Sequence, residues 1–229
     1  MLKTIKTLSF AAAFSIAGGL AAQATTFNFA NLADTIGEST WGGSSVSTGW
    51  GGNGGGLVVG ASATTRDGDP ASAYLDAGNA GLGVCSGTIT ATYQCDPSND
   101  DNVGTSPGGA NDNYDNYETL ALDFSQEVSL TSLTLRDSNH GLLSAGDEIW
   151  IYNATANFAA YFTVGVSNLL DWGVGSTWWF EMALAPNHTS TAFYISSLSA
   201  SPIPVPAGGL LLLTALGGMA AARRRRKAA

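Results

Sequence analysis

The chain has 229 residues, with nine Lys+Arg, 18 Asp+Glu and a formal net charge of −9. Seven of the nine basic residues lie near the termini, which leaves Arg66 and Arg136 against all 18 acidic residues in the part between, a net charge of −16 there. That charge excludes nucleic acid as a partner, because its phosphates would be repelled, and it favours a soluble region that repels itself unless cations intervene.

The N-terminus opens with Lys3 and Lys6, followed by a mostly apolar stretch from Leu8 to Ala22. Ala22-Gln23-Ala24 matches the small-x-small cleavage pattern, so residues 1–24 read as a secretory signal peptide cut after Ala24. The expected partners at this stage are the general secretory machinery and signal peptidase. Residues 25–201 suffice for one extracellular domain with a sizeable core. They are rich in Gly, Ser, Thr, Asn and Asp, and they carry no long 3.6-residue periodicity. The pattern predicts an all-β domain with many turns.

Strands are expected at Thr25–Phe29, Leu57–Ala63, Ser72–Asp76 and Thr88–Tyr93. Between the first two lies a Gly-rich segment, Thr40–Gly56. Gly49, Gly51 and Gly54 fit G-x-G-x-x-G by spacing, but no strand precedes them and no helix follows, so the segment reads as a surface loop. In Tyr117–Phe124, Leu120, Leu122 and Phe124 face one side while Thr119, Ala121 and Asp123 face the other. After the polar Ser125-Gln126-Glu127 a further strand runs from Val128 to Arg136. Its apolar positions switch parity at Thr131-Ser132, as a bulge or sheet crossover requires. Glu148–Asn153, Phe158–Val164, Thr177–Leu184 and Thr191–Leu198 complete nine or ten strands, a count that suits an antiparallel β-sandwich.

Four features bear on chemistry. Cys85 and Cys95 are the only cysteines. An even count in an exported chain favours a disulfide over two thiols or a metal pair, and so short a loop would contribute roughly 3 kcal/mol. Asp96, Asp100, Asp101, Asp112, Asp115 and Glu118 are interleaved with Asn residues and contain no basic residue among them. Oxygen ligands at this density suit Ca²⁺; the bland alternative is a solvated acidic loop. Of the six Trp, Trp150 reads as core, beside Ile149 and Ile151, and one of Trp178 and Trp179 must face inward. Trp41, Trp50 and Trp172 lie in Gly-rich loops and are the candidates for stacking on sugar rings. His140 and His188 sit in turn-like settings, and Asp137, Ser138 and His140 are merely adjacent, which does not make a triad.

The last 28 residues, 202–229, have three parts in fixed order. Ile203-Pro204-Val205-Pro206-Ala207 is extended, because proline lacks a donor and disfavours helix before it. An uncharged apolar run, 207–222, follows. It spans about 24 Å as a helix, short of the roughly 30 Å hydrocarbon core, yet it can satisfy its backbone within lipid. Arg223, Arg224, Arg225, Arg226 and Lys227 then resist translocation, which makes 207–222 a transmembrane anchor with a cytoplasmic tail (223–229).

This tail resembles the PEP-CTERM class of bacterial sorting signals, in its V-P-L-P-A variant. Ile203 stands in place of the first Val and Val205 in place of Leu, and both remain apolar and branched. The resemblance implies recognition by an exosortase-like membrane protease that cuts near the motif, followed by delivery to the cell surface or extracellular matrix. Three further stretches loosely resemble the domains that precede such tails: Gly81-Leu82-Gly83-Val84, Glu118 to Phe124, and Val128-Ser129-Leu130-Thr131-Ser132-Leu133. They imply a jelly-roll-like sandwich with paired strands joined by a short polar turn. The expected function is that of a non-catalytic, membrane-anchored surface or matrix protein linked to exopolysaccharide or biofilm. The alternatives are a carbohydrate-binding module on the same anchor and a secreted glycan hydrolase, which would need two carboxylates.

Replacing both Pro204 and Pro206 by Ala should leave the apolar helix inserted and block processing, because a protease groove reads an extended segment. Mass spectrometry of the mature C-terminus decides this; normal trimming in the double variant would contradict the sorting reading.

Overall fold

The structure, a computed structural model, describes residues 23–41, 50–51, 56–96, 101–104, 117–153, 155, 158–167, 169, 172–183 and 191–203. They belong to one unit, Ala22–Ile203. The expected signal peptide up to residue 22, most of the Gly-rich loop, and the sorting tail from Pro204 onward lie outside the described residues. Among the described residues no helix is long and apolar enough to cross a membrane.

In chain order the elements are β1 (Thr25–Asn28), α1 (Phe29–Ile36), β2 (Ser39–Thr40), β3 (Trp50–Gly51), β4 (Val58–Thr65), β5 (Pro70–Asp76), β6 (Gly81–Cys85), β7 (Thr88–Ile89), β8 (Cys95–Asp96), β9 (Glu118–Asp137), β10 (Glu148–Asn153), β11 (Phe158–Thr163), β12 (Gly175–Met182) and β13 (Phe193–Pro202). The antiparallel, mostly β architecture expected from alternation is therefore present. Eleven of the strands are joined in one continuous sheet, where the sequence suggested two packed sheets, and β7 and β8 pair only with each other. Five of them, β13, β6, β5, β4 and β9, pair in turn and close a small antiparallel barrel. β12, β10 and β11 extend outward from β9, and β1 lies along β13.

Closure depends on β9. Its first part pairs with β4 on one edge and β12 on the other, and its second part pairs with β13. The sequence suggested two strands with a turn at Ser125-Gln126-Glu127. Instead one 20-residue strand runs through. The three polar residues belong to a stretch that departs from the β12 register between the Asp123↔Thr177 and Val128↔Gly175 pairs. Their polar groups are not lost to the ladder: Val58 N donates to Ser125 Oγ at 3.1 Å, and Ile203 N donates to Glu127 O at 3.0 Å. The parity switch falls where expected. Ser132 pairs with Ser199 and Leu130 with Ala200, so Thr131 is the extra residue of a bulge.

The interior is one large apolar cluster, beside a small one of Tyr74, Cys85 and Cys95. It takes Leu120, Leu122, Val128 and Leu130 from β9, Trp178 and Phe180 from β12, Ile149 and Ile151 from β10, and Leu82 and Val84 from β6. Each fully buried side chain of this size contributes about 1.5–3 kcal/mol. The helix α1 was not expected from the sequence. Asn28 caps it by accepting from Asn31 N at 2.9 Å, and Gly37, with φ 84°, ends it by donating to Ala33 O at 2.8 Å. Its buried residues Phe29, Ala30 and Ala33 face β5, β6 and β13. The disulfide Cys85–Cys95 is present, with the Cα atoms 5.9 Å apart, and ties β6 to the small β7–β8 hairpin.

β6 meets β13 at a single paired position, Leu82↔Ile195. Gly81, with φ 122°, lets the two backbones approach; a Cβ there would lie 2.4 Å from Ile195 O. Gly81→Ala should therefore cost on the order of 3 kcal/mol in strain and displaced backbone. Thermal unfolding measures this, and a melting temperature equal to that of the wild type would contradict barrel closure at this point.

Candidate functional site

Alternation along β10 sends Ile149, Ile151 and Asn153 inward and Glu148, Trp150 and Tyr152 outward. Trp150 is therefore not a core residue, which corrects the reading based on its isoleucine neighbours. On β12, Trp178 faces in and Trp179 faces out. The cross-strand register then builds two rows on the outer face. Thr119, Glu181, Trp150 and Tyr161 stand side by side in one; Ala121, Trp179, Tyr152 and Ala159 form the next. Trp150 and Tyr161 have ring centroids 4.6 Å apart, and Tyr152 stacks on Trp179 at 5.0 Å and 5°. Such pairs prop each ring in place, each worth about 0.5–1.5 kcal/mol beyond area burial.

An open groove of about 410 Å³ lies on this face, lined by Tyr117, Trp150, Tyr152, Asn153, Phe158, Ala159 and Glu181. Glu181 is 8% exposed. Thr119 Oγ1 donates to its Oε1 at 2.6 Å, and Tyr152 Oη donates to the same oxygen at 3.1 Å. Burial pushes this carboxyl above its ordinary range, and the two hydrogen bonds oppose that push. The Tyr152 hydroxyl is also raised, by burial first and then by the Glu181 charge. At one side of the groove the Arg66 guanidinium sits 5.5 Å from the centre of the Tyr117 ring.

A second polar cluster lies elsewhere in the barrel. His140 Nε2 is 2.9 Å from Asp76 Oδ2, and His140 Nδ1 is 3.0 Å from Gly78 O. A carbonyl only accepts, so Nδ1 carries hydrogen. Tyr194 Oη donates to Asp101 Oδ1. Asp76 is pushed up to about 6, by burial first and then by the Asp101 charge, with His140 opposing. Asp101 is raised by burial, against its hydrogen bond from Tyr194.

The residues expected to act fall out as follows. Trp172 is only 7% exposed, with its ring against Phe158 at 5.0 Å and Phe162 at 5.7 Å, so it packs the core and does not offer a stacking face. Trp41 is half-buried, edge-on to Phe29 at 6.0 Å. Trp50 lies in β3, and its side chain is outside the described residues. Among the expected Ca²⁺ ligands, Asp96 is exposed in β8, Asp101 holds Tyr194, and buried Glu118 accepts from Gly104 N at 2.9 Å. Asp100, Asp112 and Asp115 lie outside the described residues. Among the described residues no group of three or more His, Cys, Asp or Glu is placed to hold a metal ion. Asp137 Oδ1 accepts from Asn139 N and Gly141 N, closing a turn.

No protein-family model, curated protein or solved structure matches this chain.

A carboxyl raised by folding favours the protonated state. Its contribution is fully present below the unfolded value of about 3.9 and is lost as pH rises through about 6 for Asp76. Asp101 and Glu181 shift in the same direction. The melting temperature should therefore rise as pH falls from about 7.5 to about 5. Asp76→Asn should flatten this dependence by about 1–2 kcal/mol after allowance for solvent screening. A melting temperature that falls steadily over the same window would contradict the assignment.

Proposed function

We propose that this chain is an exported, non-catalytic surface protein whose β domain holds a saccharide on the outer face of β12, β10 and β11. The observation that carries the proposal is the groove of Tyr117, Trp150 and Tyr152 around the hydrogen-bonded Glu181. Sugars present apolar C–H faces ringed by hydroxyls. Propped aromatic faces with one convergent acceptor suit that chemistry. The groove's described lining holds one carboxylate, whereas most glycoside hydrolysis uses two, which favours holding over cutting. The basic, apolar and small-residue order of residues 1–24 supports export. The order of proline motif, apolar run and basic block in 202–229 supports anchoring and exosortase-type sorting to the surface or matrix. A polysaccharide of that matrix is the partner this combination favours.

The finer reading of the architecture is a jelly-roll-like β-sandwich. It is supported by the main core cluster, which Trp178 and Ile151 share with Leu75, Val84 and Leu198, from strands far apart in ladder order.

The proposal predicts a split between two kinds of aromatic substitution. Trp150→Ala or Tyr152→Ala should weaken oligosaccharide binding about tenfold, the loss of one stacked ring, while costing only about 1–2 kcal/mol of stability through the lost ring pair. Trp172→Ala should instead destabilise the fold by about 3–5 kcal/mol. A glycan array followed by calorimetry on the full-length chain in mild detergent tests this. Undiminished binding by folded Trp150→Ala and Tyr152→Ala would contradict it.

A further inference from the structure

Glu181 is a buried carboxylate with no cation of its own. The part of the chain between the expected signal and tail has two basic side chains other than histidine, Arg66 and Arg136. Arg66 is placed over the Tyr117 ring. Arg136 donates to His140 O at 2.6 Å and to Ser196 Oγ at 3.3 Å, in the other polar cluster. Among the described residues no basic side chain pairs with Glu181. Its two donors, from Thr119 and Tyr152, both take Oε1. An ionised carboxylate withdrawn from water without a counter-charge is costly, and burial accordingly raises Glu181 while its two hydrogen bonds oppose the shift.

The groups around it suit a cation. Tyr117, Trp150 and Tyr152 line the same groove, and the faces of such rings attract ammonium groups. The field of the region, at net charge −16, draws cations in and turns polyanions away. A neutral sugar would do nothing to offset the cost of ionising Glu181. An acidic sugar would add negative charge to an already acidic region in a poorly solvated place. An ammonium supplies charge, donors and a fit to the ring faces together.

We infer that the groove selects saccharides bearing a free amine, with the ammonium seated between Glu181 and the rings of Trp150 and Tyr152, on the side away from the Arg66-covered Tyr117 ring. This inference rests on the saccharide reading above and adds the class of sugar. It is a binding specificity, with no bond made or broken. It also sets a proton balance. At mildly acidic pH the sugar amine arrives charged, and because burial raises Glu181, docking of the ammonium shifts that carboxyl toward its ionised form, with any proton lost going to water. The titratable groups facing Glu181 are Tyr152 and Tyr117, both raised and both neutral in this range, so Glu181 is the source of that proton.

The test is calorimetry on the full-length chain in mild detergent at pH about 5.5, in buffers of differing ionisation enthalpy. The probes are glucosamine oligomers with β-1,4 and β-1,6 linkages, their N-acetylated counterparts, and glucose oligomers of the same lengths. The amine-bearing oligomers should bind at least about tenfold tighter than the other two classes, and only they should release a proton. Glu181→Gln should bring the amine oligomers down to the level of the others and abolish the release. Equal or tighter binding of the N-acetylated or glucose oligomers by the wild-type chain would overturn the amine selectivity while leaving the saccharide groove standing. Binding of none of the probes would overturn both.

Discussion

The structure depends on one backbone ladder. β9 is hydrogen-bonded along both edges of its first part, to β4 and β12, and then along its second part to β13. One strand thereby closes the barrel and carries the three-strand extension. Strand registers are unforgiving: a shift of one residue would exchange the inner and outer faces along the whole element. Two local irregularities let β9 serve both partners without such a shift. The stretch between Asp123 and Val128 departs from the β12 ladder, and Thr131 bulges from the β13 ladder. With the register held, Leu120, Leu122, Val128 and Leu130 all point into the core, and Thr119 stands beside Glu181 at the edge of the groove.

Charge is the second constraint. Among the described residues Asp34, Asp67, Asp69, Asp96, Asp123 and Glu127 are exposed to water, where mutual repulsion is weak and screened. Asp76, Glu118 and Glu181 are buried and Asp101 partly so, and burial raises Asp76, Asp101 and Glu181. Their surroundings differ in kind. Asp76 faces the His140 imidazole and Asp101 takes the Tyr194 hydroxyl, so that pair has charged and hydroxyl neighbours within the fold. Among the described residues Glu181 has hydroxyl donors only, and it opens onto a groove lined with aromatic rings. Perturbed carboxyls occur in both structural networks and ligand sites. The proposal places Glu181 with the second kind, on its open groove and on the lack of a basic partner among the described residues.

What the sequence disclosed was local. The alternation in Glu148–Asn153 marked β10 to the residue, and the parity switch marked the Thr131 bulge. The two cysteines form the bond that their even count favoured. The helix α1 was missed because eight residues hold only two turns, although Phe29, Leu32, Ala33 and Ile36 lie at helical spacing between Asn28 and Gly37. Ser125-Gln126-Glu127 looked like a turn because three polar residues interrupt an apolar pattern; the chain continues straight because Val58 and Ile203 bond those residues from neighbouring segments. The groove was hidden for a different reason. Its carboxylate is held by Thr119, 62 residues away, and no local pattern records such a pairing. Trp150 was within reach: strict alternation with Ile149 and Ile151 already placed it on the opposite face, and its isoleucine neighbours were the misleading cue.

The central claim is that the outer aromatic face, and not the tryptophans of the loops, receives the ligand. Indole N–H resonances report this directly. The chain's six tryptophans give six such signals, assignable by single substitution to Phe. On titration with the amine-bearing oligosaccharide, the signals of Trp150 and Trp179 should move, while those of the core residues Trp172 and Trp178 stay in place. A bound oligosaccharide that leaves Trp150 and Trp179 unmoved and shifts Trp41 or Trp50 instead would contradict the account.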